Sequence, residues 1–320
     1  MGMMAPVVAG LAAPAPWAAA GEYGALATGV DGLLRAAWPL AIAMPMGALA
    51  GAIAGSFLAT IIIRWPQGRS IAHGRSACDG CGVTLRAVNL VPIISWALAR
   101  GRCRRCGHAI HPIHPVMEGA CAAMGALCAW LAPNAGGAAL AIMVWQLLTL
   151  AVLDARHWWL PHRLSALLGL TGLAMGGAAM GALGLSISLI DRAVGAAAGG
   201  AALWAVGAAF ARLRHKDGLG GGDPPMFAAI GAWVGWAALP ALLLLAAVAG
   251  LMLAVAARLT ARVIARLAAR RDGAAPTARA NAQEQGQDPA HPPHFLDQRM
   301  PLGTLMAMAT PFAVALMVIR

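Results

Sequence analysis

Carboxylates are scarce in this chain, and a few of them stand where they could do chemistry. The 320 residues contain only twelve Asp and Glu. Most of the twelve fall in polar segments, whereas Glu118, Asp154, Asp191 and Asp223 stand at or near the ends of long apolar runs. Asp191 has Arg192 beside it and is expected to form an interfacial pair. An ionised carboxylate at membrane depth is unfavourable, so one found there is a candidate functional group. Asp223 also follows the glycine run GLGGGD (218–223), which lets the backbone turn sharply and another segment approach closely.

Asp154 and Asp223 together could hydrolyse a peptide bond. Two carboxylates that share a site cannot both ionise readily, so one of them keeps its proton. The ionised partner can take a proton from water, while the protonated partner donates to the peptide carbonyl and later to the leaving amine. Each aspartate alone could equally be a helix cap or an interfacial anchor, so the prediction depends on their meeting. Glu118 is a third candidate, which could also be an interfacial anchor.

Four of the six cysteines have metal-ligand spacing. Cys78 and Cys81 form CDGC, and Cys103 and Cys106 form CRRC. Two such pairs can deliver four thiolates to a tetrahedral Zn²⁺, and a site closed by four cysteines is structural. Two disulfides are the alternative, but disulfides rarely persist in a reducing cytoplasm.

The remaining cysteines and the glycines beside the CxxC pairs have simpler interpretations. Gly82 and Gly107 follow the two CxxC pairs and suit the tight turns of a zinc ribbon. Cys121 and Cys128 lie within an apolar segment and are expected to be buried as small apolar residues.

The composition indicates the elements that must position these groups. Sixty per cent of the residues are apolar and 11% are charged, against about 25% charged in soluble domains. The sequence therefore predicts an all-α polytopic membrane protein with about eight transmembrane helices, each needing roughly 20 apolar residues. The predicted spans are 37–63, 115–132, 137–155, 164–185, 189–211, 226–239, 241–261 and 300–319.

The distribution of basic residues predicts the topology. All 23 Lys and Arg except Arg35, Arg192 and Arg320 fall in segments that eight spans would place on one side. That side is the cytoplasm under the positive-inside rule, so both termini lie outside it. Asp154 and Asp223 then both fall at cytoplasmic ends of spans. Most Lys and Arg residues lie in segments between predicted spans. This location indicates that they face a membrane surface, and it argues against nucleic acid as a partner of the protein.

These expectations divide the chain into six parts. They are an outer N-terminal tail (1–36), a first transmembrane helix (37–63), a small cytoplasmic zinc-ribbon-like domain (64–114), a transmembrane core (115–261), a flexible cytoplasmic loop (262–299) and a last transmembrane helix (300–320).

Five motifs, in order, resemble those of the prepilin peptidases, also called type IV leader peptidases, which are membrane aspartic proteases of the GxGD type. The resemblance runs from about residue 50 to residue 310. The motifs are GSFLATIIIRWP (55–66), the cysteine-containing segment 75–118, DARHWWLPHRLS (154–165), GLGGGD (218–223) and MPLGTLMA (300–307).

The resemblance implies an activity and its residues. It implies that Asp154 and Asp223 are the catalytic pair and that the substrates are type IV prepilins or type II secretion pseudopilins, whose short basic leader is cut after a glycine. It also implies N-methylation of the new amino terminus with S-adenosylmethionine, a multi-pass location in the bacterial inner membrane and an active site at the cytoplasmic side. The S-adenosylmethionine-binding residues stay unknown, and Glu118 is a candidate for the methylation reaction only through its place in the family-like HPVME (114–118).

Three positions depart from the pattern of the family. His162 stands where an aspartate is usual, Pro225 where a lysine is common and Ala59 where an asparagine is frequent. A cleavage-only or inactive relative is therefore an alternative. Two further alternatives are a polytopic transporter, whose ionisable groups should lie near the bilayer midplane, and a tethered zinc module that only recruits partners.

Overall fold

The protein is a bundle of antiparallel helices. The computed structural model describes residues 37–71, 76–215, 219–271 and Thr310. The helices are α1 (Leu40–Arg64), α2 (Ile94–Leu98), α3 (Ile113–Leu131), α4 (Ala135–His157), α5 (His162–Ala182), α6 (Leu189–Arg214), α7 (Asp223–Val234) and α8 (Leu239–Arg271). Short 3₁₀ turns occur at Trp65–Gln67, Ala87–Leu90 and Trp236–Ala238. The loops from α3 to α7 are short, which makes consecutive helices antiparallel neighbours.

Five described helices are long and apolar enough to cross a membrane. They are Leu40–Gln67, Ala135–His157, His162–Ala182, Leu189–Arg214 and Trp236–Ile264. They correspond to the predicted spans 37–63, 137–155, 164–185, 189–211 and 241–261. The described part of the chain is therefore mostly helical and has the long apolar helices of a polytopic membrane protein.

The count of eight spans stays a prediction. The predicted span 115–132 forms α3, which has 19 residues and is not among the five. The predicted span 300–319 lies outside the described residues except for Thr310, which is helical and buried.

The boundary between the predicted spans 226–239 and 241–261 differs from the expectation. Helix α7 has only 12 residues and ends at Gly235, whose φ of +74° with ψ of 173° is a backbone conformation that essentially only glycine adopts. Pro240, the residue between these two predicted spans, does not make the break. It is the second residue of α8, where its missing N–H has no intrahelical role.

A row of glycines packs α1 against α3. Gly47, Gly51 and Gly55 recur every fourth residue, so they share one face of α1. A Cβ atom on Gly55 would lie 2.5 Å from the carbonyl oxygen of Met117, so no side chain fits there. This close packing, which small residues allow between membrane helices, brings the end of α1 and the start of α3 together. The segment 65–112, which contains the cysteines, is inserted between these two ends.

The buried core centres on α4, α5 and α7. Its largest side chain is Trp233, which is fully buried and donates from Nε1 to the carbonyl oxygen of Leu168 at 2.8 Å. A second cluster joins α1, α3 and α4 through Ala59, Ile62, Ile113, Met117, Cys121 and Leu153. Helix α4 therefore contacts both clusters. Cys121 and Cys128 are buried and free, as predicted.

Candidate active site and metal centre

The last turn of α4 positions Asp154. Its side chain is buried, with 6% exposed. The helix ends three residues later, because Trp158 takes a left-handed conformation and donates its N–H to the carbonyl oxygen of Asp154 at 2.9 Å. The chain then runs through the buried Leu160 and starts α5 after Pro161. Asp154 is thus held beside a tight connection between two core helices.

The glycine turn positions Asp223 at the start of α7. Its Oδ2 accepts the N–H of Gly220 at 3.0 Å, and its own N–H donates to the carbonyl oxygen of Gly220 at 3.1 Å. Pro224 and Pro225 follow in the first turn, where helices tolerate proline. The carboxylate is also favourably placed in the field of the helix N-terminus. It is buried to the same extent as Asp154, with 6% exposed.

Close packing of two backbones brings the aspartates together. A Cβ atom on Gly222 would lie 2.5 Å from Leu160 Cβ and 2.9 Å from the Leu160 carbonyl oxygen. Only glycine therefore lets the turn before Asp223 contact the connection after Asp154. The structure thus brings together both aspartates that the sequence analysis selected.

The two carboxylates interact electrostatically. Asp223 lies outside the five long apolar helices. Burial raises the pKa of Asp223 to about 6, the negative charge of Asp154 raises it as well, and the N–H of Gly220 opposes both effects. A pair in which one carboxyl holds its proton near neutral pH can supply an acid and a base at once.

The four predicted metal ligands lie together at the same end of the bundle. Their Sγ atoms are all within 4.8 Å of one another, and those of Cys78 and Cys106 are 3.8 Å apart. Thiolates bound to one tetrahedral zinc at about 2.3 Å would lie roughly 3.8 Å apart. All four cysteines are free, so the alternative of two disulfides is not what the structure contains. The donor set and its spacing fit a metal ion.

The two CxxC segments have matching backbone turns. Gly82 N–H donates to the carbonyl oxygen of Cys78, and Gly107 N–H donates to that of Cys103, both at 2.9 Å. The φ angles of these glycines are +69° and +71°, as the sequence analysis expected of tight turns. Backbone N–H groups, first that of Cys106, lower the pKa of the Cys103 thiol to about 6. The N–H of His108 acts in the same direction on Cys106, but burial and the neighbouring thiols raise the pKa of that thiol to about 12, so the interacting thiols do not share one tendency toward the thiolate.

The cysteine segment contacts the connection that follows Asp154. Trp65, just after α1, and Trp159 pack edge to face with ring centroids 5.9 Å apart. Ile62 of α1 and Leu153 of α4 belong to one buried cluster. The metal-ligand segment and the aspartate pair are therefore joined through the end of α1.

Glu118 has a role that sequence reasoning did not identify. It is buried at the start of α3, and its Oε2 accepts the N–H of Ile93 at 2.6 Å. Ile93 has a φ of +62°, which is rare for a β-branched residue. The signals in the sequence were the rarity of a carboxylate in an apolar segment and the place of Glu118 in the family-like HPVME.

The three departures from the family pattern lie in different environments. Ala59 is fully buried in the second cluster, where it packs among apolar side chains. His162 is exposed at the start of α5, and Pro225 is half-buried in the first turn of α7. None of the three departures replaces Asp154 or Asp223, the two buried aspartates of the candidate site.

Fold and site together define a helical membrane protein with a buried aspartate pair and a four-cysteine cluster at one end of its bundle. The chain belongs to the type IV leader peptidase family. Residues 141–255 match the Type IV leader peptidase family, and residues 49–132 match the Bacterial Peptidase A24 N-terminal domain.

Several relatives are similar to this chain over more than half of its length. A type 4 prepilin-like proteins leader peptide-processing enzyme of Escherichia coli O78:H11 is 34% identical over 67% of this chain and 85% of its own length. A prepilin leader peptidase/N-methyltransferase of Aeromonas hydrophila is 37% identical over 57% of this chain, which spans 61% of that relative. One of Burkholderia pseudomallei is 31% identical over 67% of this chain and 76% of its own length. No solved structure matches the chain.

Proposed function

We propose that this protein is an aspartic endopeptidase of the bacterial inner membrane that removes the basic leader of type IV prepilins and pseudopilins after a glycine. We infer that it also N-methylates the new amino terminus with S-adenosylmethionine. The observation that carries the proposal is that the packing of Gly222 on Leu160 brings two buried aspartates, Asp154 and Asp223, to one site.

The pair performs both proton transfers of peptide hydrolysis. The ionised carboxyl takes a proton from water as the water oxygen attacks the carbonyl carbon. The protonated carboxyl, which the raised pKa assigns to Asp223, donates to the carbonyl oxygen. The C–N bond then breaks, and the nitrogen leaves as an amine with a proton from the pair.

The two aspartates lie at helix ends. This position suits a substrate in which a basic leader is followed by an apolar helix. Asp154 is in the last turn of α4 and Asp223 is in the first turn of α7. We place this end at the cytoplasmic face, because the cysteine segment that adjoins it is rich in arginine. The leader then stays in the cytoplasm while the substrate helix lies in the membrane. This topology assigns residues 1–36 to the outer side, 262–299 to the cytoplasm and 300–320 to a last span.

The cysteine cluster holds one structural zinc. Cys78, Cys81, Cys103 and Cys106 would be its ligands, and the ion would stabilise the fold of residues 64–114. The cluster leaves no coordination position for a reactant, so the zinc takes no part in hydrolysis.

The alternatives explain less of the molecule. A transporter should have its ionisable groups at the midplane rather than in the last and first turns of helices. A tethered zinc module would give the coupled aspartates no role. A cleavage-only enzyme is the alternative that needs a separate experiment, and the names of the Aeromonas and Burkholderia relatives favour methylation.

Mass spectrometry of a prepilin peptide incubated with the purified protein in detergent tests the proposal. Cleavage after glycine and the addition of one methyl group give two separate mass changes. Cleavage without methylation, in the presence of S-adenosylmethionine, would reduce the proposal to a peptidase. An intact peptide with a well-folded enzyme would refute it.

A further inference from the structure

A buried hydroxyl group in the first turn of α5 has no partner. Ser165 is 1% exposed, and its Oγ makes no hydrogen bond to any described residue. A buried polar group that is left unpaired is unfavourable, so its presence needs an explanation. The steps of peptide hydrolysis described above give Ser165 no role.

Other hydroxyls within the helices are satisfied by their own helix. Thr60, Thr149 and Thr171 each donate from Oγ1 to the carbonyl oxygen four residues earlier, at 2.8–3.2 Å. Helical Ser and Thr often make this bond. For Ser165 the corresponding acceptor is the carbonyl oxygen of Pro161, which accepts the N–H of Ser165 at 3.2 Å but not its hydroxyl. The hydroxyl is therefore available to a partner outside α5.

Ser165 belongs to the face of α5 that packs on α7. A Cβ atom on Gly169, one turn further along α5, would lie 3.6 Å from Cα of Ala229 in α7. Residues four apart share a helix face, so Ser165 faces α7 as well. One turn before Ser165, the connection that leads into α5 packs on Gly222. Ser165 lies between these two contacts and therefore beside the first turn of α7, which begins with Asp223.

Helix α4 packs on the adjoining face of α5. Leu164, the residue before Ser165, packs against the buried cluster that contains Leu153 of α4. The side chains of Gln146 and Thr171, two turns away in each helix, are hydrogen-bonded at 3.1 Å, which agrees with the same antiparallel register. Ser165 therefore lies at the depth of the last turn of α4, which contains the first aspartate of the pair.

Three helices thus bring three polar groups to one place: α5 contributes the hydroxyl, and α4 and α7 contribute the two carboxyl groups. We propose that Ser165 is a positioning residue of the aspartate pair, whose hydroxyl donates a hydrogen bond to the ionised carboxylate of Asp154 when substrate is bound. The inference rests on the peptidase part of the proposed function. Hydrogen bonds of a catalytic site are often not fully formed without substrate and tighten in the complex.

The hydrogen bond fixes Asp154 in the state and orientation that a base needs. A hydroxyl bound to a carboxylate makes a charge-assisted hydrogen bond, which is stronger than one between neutral groups. It favours the ionised form of Asp154, which takes the proton from water. One carboxylate oxygen is then held by Ser165, and the other is left for the water. The hydroxyl keeps its own proton throughout, so Ser165 acts only through Asp154.

The other charged groups near Ser165 leave this hydrogen bond to the aspartates. His162 and Arg163, its neighbours in the first turn of α5, are exposed. Arg192, the buried cation of α6, donates to two carbonyl oxygens of α5 at 2.8 and 2.9 Å, about two turns further along that helix. The ion pair that the sequence analysis expected between Arg192 and Asp191 is not found among the described residues.

Ser165→Ala separates a positioning role from a packing role. The substitution removes a hydroxyl that has no partner in the substrate-free protein, so the melting temperature should stay the same or rise. The kcat for a prepilin peptide should fall by about 10- to 100-fold, with KM nearly unchanged, because a hydrogen bond to a charged group is lost. The acid limb of the profile of kcat/KM against pH should move to higher pH, because the ionised base loses a donor. Thermal unfolding and cleavage kinetics of the purified full-length protein in detergent are the measurements.

Three further variants control for size and for loss of a hydroxyl. Thr149→Val removes an equally buried hydroxyl that is already satisfied by the carbonyl oxygen of Trp145, so its kcat and pH profile should match the parent. Ser165→Thr keeps the hydroxyl and should recover most of the lost kcat. Ser165→Cys keeps the size but has only a weak donor, so it should resemble Ser165→Ala.

Two results would overturn the role of Ser165 and leave the peptidase proposal intact. The first is a parent-like kcat for Ser165→Ala, or an equal loss in Thr149→Val. The second is a lower melting temperature of Ser165→Ala without recovery of kcat in Ser165→Thr, which would make Ser165 a packing residue. In both cases the parent still cleaves the peptide. If the folded parent does not cleave it, the peptidase proposal and this inference fail together.

Discussion

Leu160 and Gly222 touch through their backbones: a Cβ atom on Gly222 would lie 2.9 Å from the Leu160 carbonyl oxygen and 2.5 Å from its Cβ. This contact joins the connection after Asp154 to the turn before Asp223. The distance between Asp154 and Asp223 therefore depends on the absence of a side chain at Gly222.

Gly222→Ala should strongly impair cleavage. The added methyl must push the turn away from Leu160 and displace Asp223, and a displacement of about 1 Å can lower a rate about 100-fold. Gly221→Ala is the matched control, because a Cβ there meets nothing within 4 Å. Peptide cleavage rates of both variants are the measurement, and equal rates would show that the contact does not control the site.

Asp154→Asn and Asp223→Asn should each lose nearly all cleavage. Residues that act as a unit are not additive, so either loss should lower the rate by about 10⁴-fold or more. Asp191→Asn, which changes a helix cap, should keep parent-like activity. Zinc content and gel-filtration profiles check that the variants fold. Normal processing by either active-site variant would remove that residue from the catalytic pair.

Cleavage should fall as the pH rises above about 6. Asp223 must be protonated to donate, and its pKa is raised to about 6 by burial and by the charge of Asp154. At acid pH the rate should fall again as the base takes up a proton, which gives a bell-shaped profile. A profile of kcat/KM against pH is the measurement. A rate that keeps increasing from pH 6 to pH 9 would contradict the assignment of Asp223 as the acid.

The same raised pKa affects folding stability with a definite sign. A carboxyl whose pKa is higher in the folded state binds its proton more tightly there, so the contribution to stability is full below the unfolded value near 4 and is lost as the pH rises through about 6. Asp223→Asn, which cannot ionise, should therefore raise the melting temperature at pH 7 more than at pH 4. Thermal unfolding of the detergent-solubilised protein at both pH values is the measurement, and an equal shift at both would contradict the ionisation argument.

Cys103→Ser should lose the metal and loosen the cysteine segment. Removal of one thiolate opens the four-sulfur cluster, and metal-binding free energy at such sites is folding free energy. Cys128→Ala, in the buried part of α3, should retain the metal. Elemental analysis should give about one zinc per chain for the parent and for Cys128→Ala. A value near zero for the parent would refute the zinc site.

Some of this structure could be predicted from residue types and spacing alone. Scarcity of charge selected Asp154 and Asp223 from twelve carboxylates, and CxxC spacing selected the four cysteines that cluster. Apolar runs predicted the long helices, because the cost of burying backbone in lipid leaves few alternatives. Each of these signals depends on residues close together in sequence, so it can be recognised without knowing which helices are neighbours.

Long-range contacts could not be predicted in the same way. The glycine row of α1 identifies a packing face, but not α3 as its partner. The break at Gly235 rather than at Pro240 depends on the backbone conformation of Gly235, which lies against Ile187 of another segment. Trp96 lies in α2 and Glu118 lies in α3, and nothing in the sequence links them. Only the folded chain places both residues around one cavity.

The sequence by itself determined which groups are available for chemistry: two aspartates at helix ends, four thiolates in two turns and a chain that must cross a membrane. Only the tertiary structure decided that Asp154 and Asp223 share one buried site, because residues 69 positions apart meet only where Leu160 packs on Gly222. The pKa that suits Asp223 to donate a proton likewise arises from burial and a neighbouring charge. Both are properties of packing in three dimensions, which local residue types and spacings do not reveal.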